Sequence, residues 1–271
     1  MKKLHTLALL VLGAIVASVL TVGAAAQEEG TCPNPTRSGT NASDILTGTH
    51  NVDRIVALGG DDFVNALRGN DCVDGGPGLD QISGGQGDDR IIGGVDGDDL
   101  SGGPGNDRID GEDGFDFIEG GLGNDLLGGQ EGPDDISGGR GADQIFGRDG
   151  IDFLAGGLGN DQINGGAGND QIDGGMGSDR LFGGAGRDWI SGGMGPDTLN
   201  GGPGNDRIAV GAFSLRPADN SVIGGGGNDT IIAANGKRDR INCGPGRDTV
   251  YGDTNDFMTN CERVFVLRRR R

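Results

Sequence analysis

Nine residues separate Gly165-Gly166 from Gly174-Gly175, and nine more lead to Gly183-Gly184. Carried in both directions, that spacing holds from Gly39 to Ala209, which is 171 residues or 19 units of nine. Position 6 of every unit is Asp, and position 8 of every unit is Ile, Leu or Val. Position 1 is Gly in 17 of 19 units, with Ala57 and Ala66 the exceptions. Position 4 is Gly in 16 of 19; Ala42, Asn51 and Asp96 depart. Four positions held in phase for that length mark a structural repeat, written G-G-x-G-x-D-x-U-x with U aliphatic. Glycine at this density excludes helix, since each one costs about 1 kcal/mol relative to alanine.

One inward aliphatic per nine residues fits a short strand and a turn. Positions 7 to 9 are expected to form the strand, with position 8 inward and its neighbours outward. Positions 1 to 6 are expected to form the turn, where glycine permits positive φ and close backbone stacking. Two units then complete an 18-residue coil with one short strand on each side. The expected fold is all-β: a parallel β-roll or β-solenoid of nonapeptide repeats. At about 4.8 Å per coil, 19 units give about nine and a half coils over roughly 45 Å.

This consensus resembles the calcium-binding nonapeptide of the RTX (hemolysin-type) family. Coil stacking places each position-6 Asp on the Asp two units later, as Asp89 on Asp107 and Asp107 on Asp125. Bare carboxylates about 5 Å apart repel, and a hard cation between them reverses the sign. Ca²⁺ suits such a site because it takes six to eight oxygens from carboxylates, carbonyls and waters. Mg²⁺ demands tighter octahedral geometry, and Zn²⁺ would want His or Cys. The resemblance implies multiple Ca²⁺ ions between stacked turns, held by Asp carboxylates and turn carbonyls. The implied ligands are Asp62, Asp71, Asp80, Asp89, Asp98, Asp107, Asp116, Asp125, Asp134, Asp143, Asp152, Asp161, Asp170, Asp179, Asp188, Asp197, Asp206, Asp229 and Asp248. The competing use of these side chains is to cap turns. Capping competes most strongly in the irregular units 39–47, 48–56 and 93–101.

The formal net charge is −19. Removing Lys2 and Lys3 with a leader leaves 20 basic against 41 acidic residues, or −21. That charge argues against nucleic acid, which needs a basic surface. With 60 glycines and only 33% hydrophobic residues, the metal-free chain is expected to be poorly ordered.

Residues 1–26 read as a signal peptide: Lys2-Lys3, an apolar run from Leu7, and Ala24-Ala25-Ala26 before the cut. An uncleaved anchor is the alternative. Gram-negative family members usually carry a C-terminal export signal instead. The mature product is expected to be secreted, with no membrane span. Residues 27–38 form an N-terminal cap, 39–209 the nineteen-repeat roll, 210–251 an irregular continuation, and 252–271 a C-terminal cap and basic tail. In the continuation Val210–Ser214 reads as an insertion, Asn220 stands where Asp belongs, and Ala233 is an extra residue between units. Asp229, Asp239 and Asp248 hold the Asp position there. Val264–Leu267 suits a last capping strand. Four cysteines in an exported chain suggest disulfides. Cys243 and Cys261 lie one coil apart, which leaves Cys32 to pair with Cys72.

Outward position 7 differs between alternate units. One set carries Ile45, Phe63, Phe117, Phe153 and Trp189, the other Arg54, Arg90, Arg108 and Arg180. The aromatic file reads either as a relic of block duplication or as a partner surface. Ice binding would need regular Thr or Asn ladders, and Asn holds position 5 in only six of 19 units. Catalysis is not expected. About a dozen residues separate leader and repeats, and His50 is the one mature histidine. The reading is an exported calcium-binding β-roll that folds and stiffens on Ca²⁺. The alternative is a cell-surface or matrix structural or adhesive spacer that uses the loaded roll, with cell-envelope polymers or matrix as partners; the four terminal arginines read as a solvated tail or as a contact to anionic envelope polymers.

Overall fold

The structure is a computed structural model that describes residues 36–211 and 219–267. These fall within one compact unit, Pro33–Arg271. The leader, Cys32, most of the N-terminal cap, the core of the 210–214 insertion and Arg268–Arg271 lie outside the described residues.

Twenty-six strands run from β1 (Arg37–Ser38) to β26 (Arg263–Val266), and no helix occurs among the described residues. Odd-numbered strands make one 13-stranded parallel sheet and even-numbered strands make the other. The chain alternates between them, so it winds a parallel β-solenoid of about twelve turns. Register follows the repeat: Ile118 pairs with Leu100 on one side and Ile136 on the other, 18 residues each way. Position-8 side chains from both sheets meet in a narrow core, where Leu100, Leu127, Ile136 and Ile145 are fully buried. Each such burial contributes roughly 1.5–3 kcal/mol.

The strands are longer than the repeat suggests. In the central coils they span six residues, as in Phe117–Leu122 and Gln171–Met176. Positions 1 to 3 therefore belong to the ladder, and the turn shrinks to positions 4 to 6. The ladder carries on because Gly121 adopts φ +110° and still pairs with Gly103 and Gly139.

The irregular end keeps the coil. Thr198 pairs with Ser221, so the coil there is 23 residues long. Val210 is not part of the insertion: it is buried, and its N–H donates to the Ile232 carbonyl at 3.1 Å, as a first-position residue does. Ala233 likewise takes the buried first position, its N–H donating to Tyr251 O at 2.8 Å. The extra residue sits instead in the following turn, where the Asn235 side chain accepts the Lys237 N–H at 2.8 Å. Cys243 and Cys261 are disulfide-bonded with Cα atoms 5.2 Å apart. Cys72 is also disulfide-bonded. β26 pairs in parallel with Thr249–Gly252, and all four of its residues are exposed.

Candidate metal centre

The position-6 aspartates line the two edges of the solenoid as two files, one turn deep per residue. They are buried although charged; Asp116, Asp134 and Asp152 are fully enclosed. The two oxygens of each carboxylate have different fates. Around Asp125, Oδ1 accepts the Asp107 N–H at 2.8 Å, and the Asp125 N–H donates to Asp143 Oδ1 at 2.8 Å. The same link runs along the other file, from Asp98 to Asp116 to Asp134. Capping is thus real, and it uses one oxygen.

Oδ2 is left over. In twenty aspartates, from Asp62 to Asp248, this atom is buried with no hydrogen-bond partner. Among them is every aspartate expected from the sequence to bind metal, together with Asp239. Where the first position of the unit is glycine, Oδ2 points at it, as Asp125 does at Gly120; Ala57, Ala66, Ala233 and Cys243 hold that place for Asp62, Asp71, Asp239 and Asp248. A Cβ on Gly120 would lie 2.6 Å from Asp125 Oδ2 and 2.7 Å from the Gly138 carbonyl oxygen. A Cβ on Gly123 would collide with the Gly105 carbonyl oxygen. The first glycine thus clears a space shared by a carboxylate oxygen and the first-position carbonyl oxygen of the next coil, and the fourth-position glycine lets its turn lie against the turn of the preceding coil.

Electrostatics sharpen the point. Burial, with neighbouring carboxylates adding to it, pushes Asp80, Asp107 and Asp125 up to about 6. It pushes Asp89, Asp98, Asp134 and Asp197 up to about 7. The capping backbone N–H opposes the shift without cancelling it. An unpaired buried polar atom costs roughly 1–3 kcal/mol, so twenty of them would exceed the roughly 5–15 kcal/mol by which a whole domain is stable. A cation beside each Oδ2 would offset that cost, and so would a proton.

The two end units show what satisfaction without metal looks like. Thr49 stands where most units have the second glycine. Its N–H and hydroxyl donate to Asp53 Oδ2 at 2.6 and 2.8 Å, and the Thr36 hydroxyl donates to Oδ1 at 2.9 Å. Burial raises the Asp53 pKa, but these bonds outweigh it and hold the carboxyl below its usual value. Thr40 treats Asp44 the same way. At the other end Asp256 Oδ1 takes the Asp239 N–H, while Oδ2 takes the Asp253 N–H at 2.6 Å. Glu262 closes the second file by accepting the Asp248 N–H at 2.8 Å.

Among the described residues no three His, Cys, Asp or Glu side chains cluster to hold a metal. A bound ion would therefore draw most of its ligands from backbone carbonyls. That oxygen-only donor set fits a hard, flexible cation such as Ca²⁺. A further ladder escapes the consensus. Position-5 side chains also cap backbone N–H groups, in the opposite direction: Asn70 accepts from Asp88, Asp88 from Asn106, and Asn106 from Asn124.

The model of the RTX calcium-binding nonapeptide repeat matches the chain in overlapping stretches covering residues 38–208 and 217–256. The chain belongs to this family. The gap between the two stretches falls where the 23-residue coil departs from the period. Calcium binding, the β-roll fold and the Asp ladder thus agree. A search of curated proteins found no match.

Proposed function

We propose that the chain is an exported calcium-binding β-roll whose central coils complete their folding when Ca²⁺ enters the two aspartate files. The observation that carries this reading is the row of buried, partnerless Oδ2 atoms, most of them beside a first-position carbonyl of the next coil. In this reading the nineteen aspartates implied by the resemblance, with Asp239 added, each contribute Oδ2 to a bound ion. Oδ1 keeps its backbone cap. The ion supplies the positive charge that offsets burial of the carboxylates, and its binding energy becomes folding energy. Asp44, Asp53 and Asp256 take no ion, because protein donors already satisfy them.

Export is supported by the leader-like residues 1–26 and by disulfides, which persist in oxidising compartments. The domain boundaries set out from the sequence are part of the same proposal, and so is a binding rather than catalytic role. Calorimetric Ca²⁺ titration followed by far-UV circular dichroism tests it. The β spectrum is expected to develop with Ca²⁺, at extracellular-class affinities of roughly 10⁻⁴–10⁻³ M per site. A full β spectrum in excess EGTA at neutral pH would overturn it.

A further inference from the structure

The two faces of the solenoid differ. On one sheet Phe117, Phe153 and Trp189 point outward from every second strand, each about half exposed. Beside them on the same face, Leu122, Leu158 and Met194 are also exposed. The opposite sheet presents Arg90, Arg108 and Arg180 at the equivalent outward position. Aromatics on every second strand of one face, with polar side chains between them, mark an interaction surface in search of an occupant.

The order of residues along that file points to the occupant. Counting strands outward from Phe153, the first neighbours are Asp135 and Gln171, and the second are Phe117 and Trp189. The third are Asp99 and Arg207. The file therefore carries matched aromatics about its centre and opposite charges at its two ends. A two-fold axis along the strand direction through Phe153 would lay one copy's file on another's in reverse order. Phe153 would meet Phe153, Phe117 would meet Trp189, and Asp99 would meet Arg207, twice. On the neighbouring file Leu158 would meet itself, Leu122 would meet Met194, and Arg140 would meet Met176.

We propose that this face docks a second copy of the chain, in an antiparallel isologous dimer centred on Phe153. Adjacent registers are worse. Moving the axis one strand to Asp135 sets that carboxylate against itself, and moving it the other way to Gln171 sets Asp173 against itself on the same strand. The patch is large enough. Seven strands at about 4.8 Å and six residues at about 3.3 Å give roughly 34 by 20 Å, near 700 Å² per copy. Standard interfaces bury about 800 Å² per partner. Trp189 also weighs against a sugar chain as occupant, because the Arg207 guanidinium already lies over its ring, 5.6 Å from the centroid.

Sedimentation of the calcium-loaded protein at about 1–100 µM tests the proposal, with circular dichroism confirming that each variant folds. The wild type is expected to dimerise. Phe153→Asp, Asp99→Arg and Arg207→Asp are each expected to weaken the dimer at least about tenfold, and Asp99→Arg with Arg207→Asp together to restore most of the loss. A wild type monomeric throughout that range would overturn the proposal. So would a Phe153→Asp dimer as tight as wild type, a charge swap that rescues nothing, or a monomer that captures an insoluble polysaccharide through Phe153.

Discussion

Two substitutions at Asp125 separate what its two oxygens do. Asp125→Ala removes both. The Asp107 N–H then loses its acceptor inside the roll, which costs roughly 1–3 kcal/mol with or without calcium. For a chain of this size that lowers the melting temperature by a few to about ten degrees. Asp125→Asn keeps Oδ1 and removes the charge. Asn220 is the natural precedent: it stands in the same file, and its Oδ1 accepts the Asp197 N–H at 2.9 Å. The amide nitrogen would also offer a donor toward the space beside Gly120 that Asp125 Oδ2 shares with the Gly138 carbonyl. In excess EGTA at pH 7.5, Asp125→Asn is therefore expected to match or exceed wild-type order, by on the order of 1 kcal/mol. With calcium the ranking reverses. Asp125 stands between Asp107 and Asp143, so either substitution should remove up to two ions from the calorimetric stoichiometry. Damage should stay local, because each coil contacts only its neighbours. Wild-type stoichiometry in Asp125→Asn would refute the reasoning, since the carboxylates would then be caps alone.

Metal-free order should depend on pH. Burial raises the folded-state pKa of Asp107 and Asp125 to about 6 and of Asp89 and Asp134 to about 7. The folded chain then binds protons more tightly than the unfolded one. That stability is fully present below about 4 and is lost as pH rises through 6–7. Chelator-dialysed protein should show more β signal at pH 5 than at pH 7.5, and the reverse order would count against buried ladder carboxylates. Thr49→Val removes one hydroxyl donor from Asp53 and should cost roughly 0.5–1.5 kcal/mol, with ion stoichiometry unchanged by calorimetry. Replacing Cys243 and Cys261 together by Ser opens a loop whose closure contributes about 3 kcal/mol. Hydrogen exchange should then rise after Ile241 while the central coils stay protected, and uniform exchange would show that the last coil does not depend on the bond.

Much of this was legible because a repeat fixes each residue's surroundings by its place in the unit. The 18-residue register, the inward position 8 and the two aspartate files follow from the period alone. What the period hides is backbone geometry. It could not show that the ladder runs on through Gly120-Gly121 to Leu122, because that depends on the φ the second glycine adopts. Nor could it divide each carboxylate into a capped and an uncapped oxygen. Asp239 and Glu262 are harder to place because their spacings to Asn220 and Asp248 are 19 and 14 rather than 18.

The signal for where side-chain satisfaction changes was nevertheless present in single letters. Thr40 and Thr49 stand at position 2 in the two units that lack glycine at both positions 2 and 4, and each hydroxyl donates to the Asp oxygen that is partnerless in the central coils. At the far end the Asp253 N–H does this for Asp256, and the Cys243–Cys261 bond ties the last coil. Satisfied ends enclose an unsatisfied middle. A cation ladder could not end on an open carboxylate file, because the terminal Asp would face a second ligand set that no coil supplies. Protein donors at both ends remove that requirement. In the proposed reading they confine the need for calcium to the coils whose Oδ2 atoms have no protein donor.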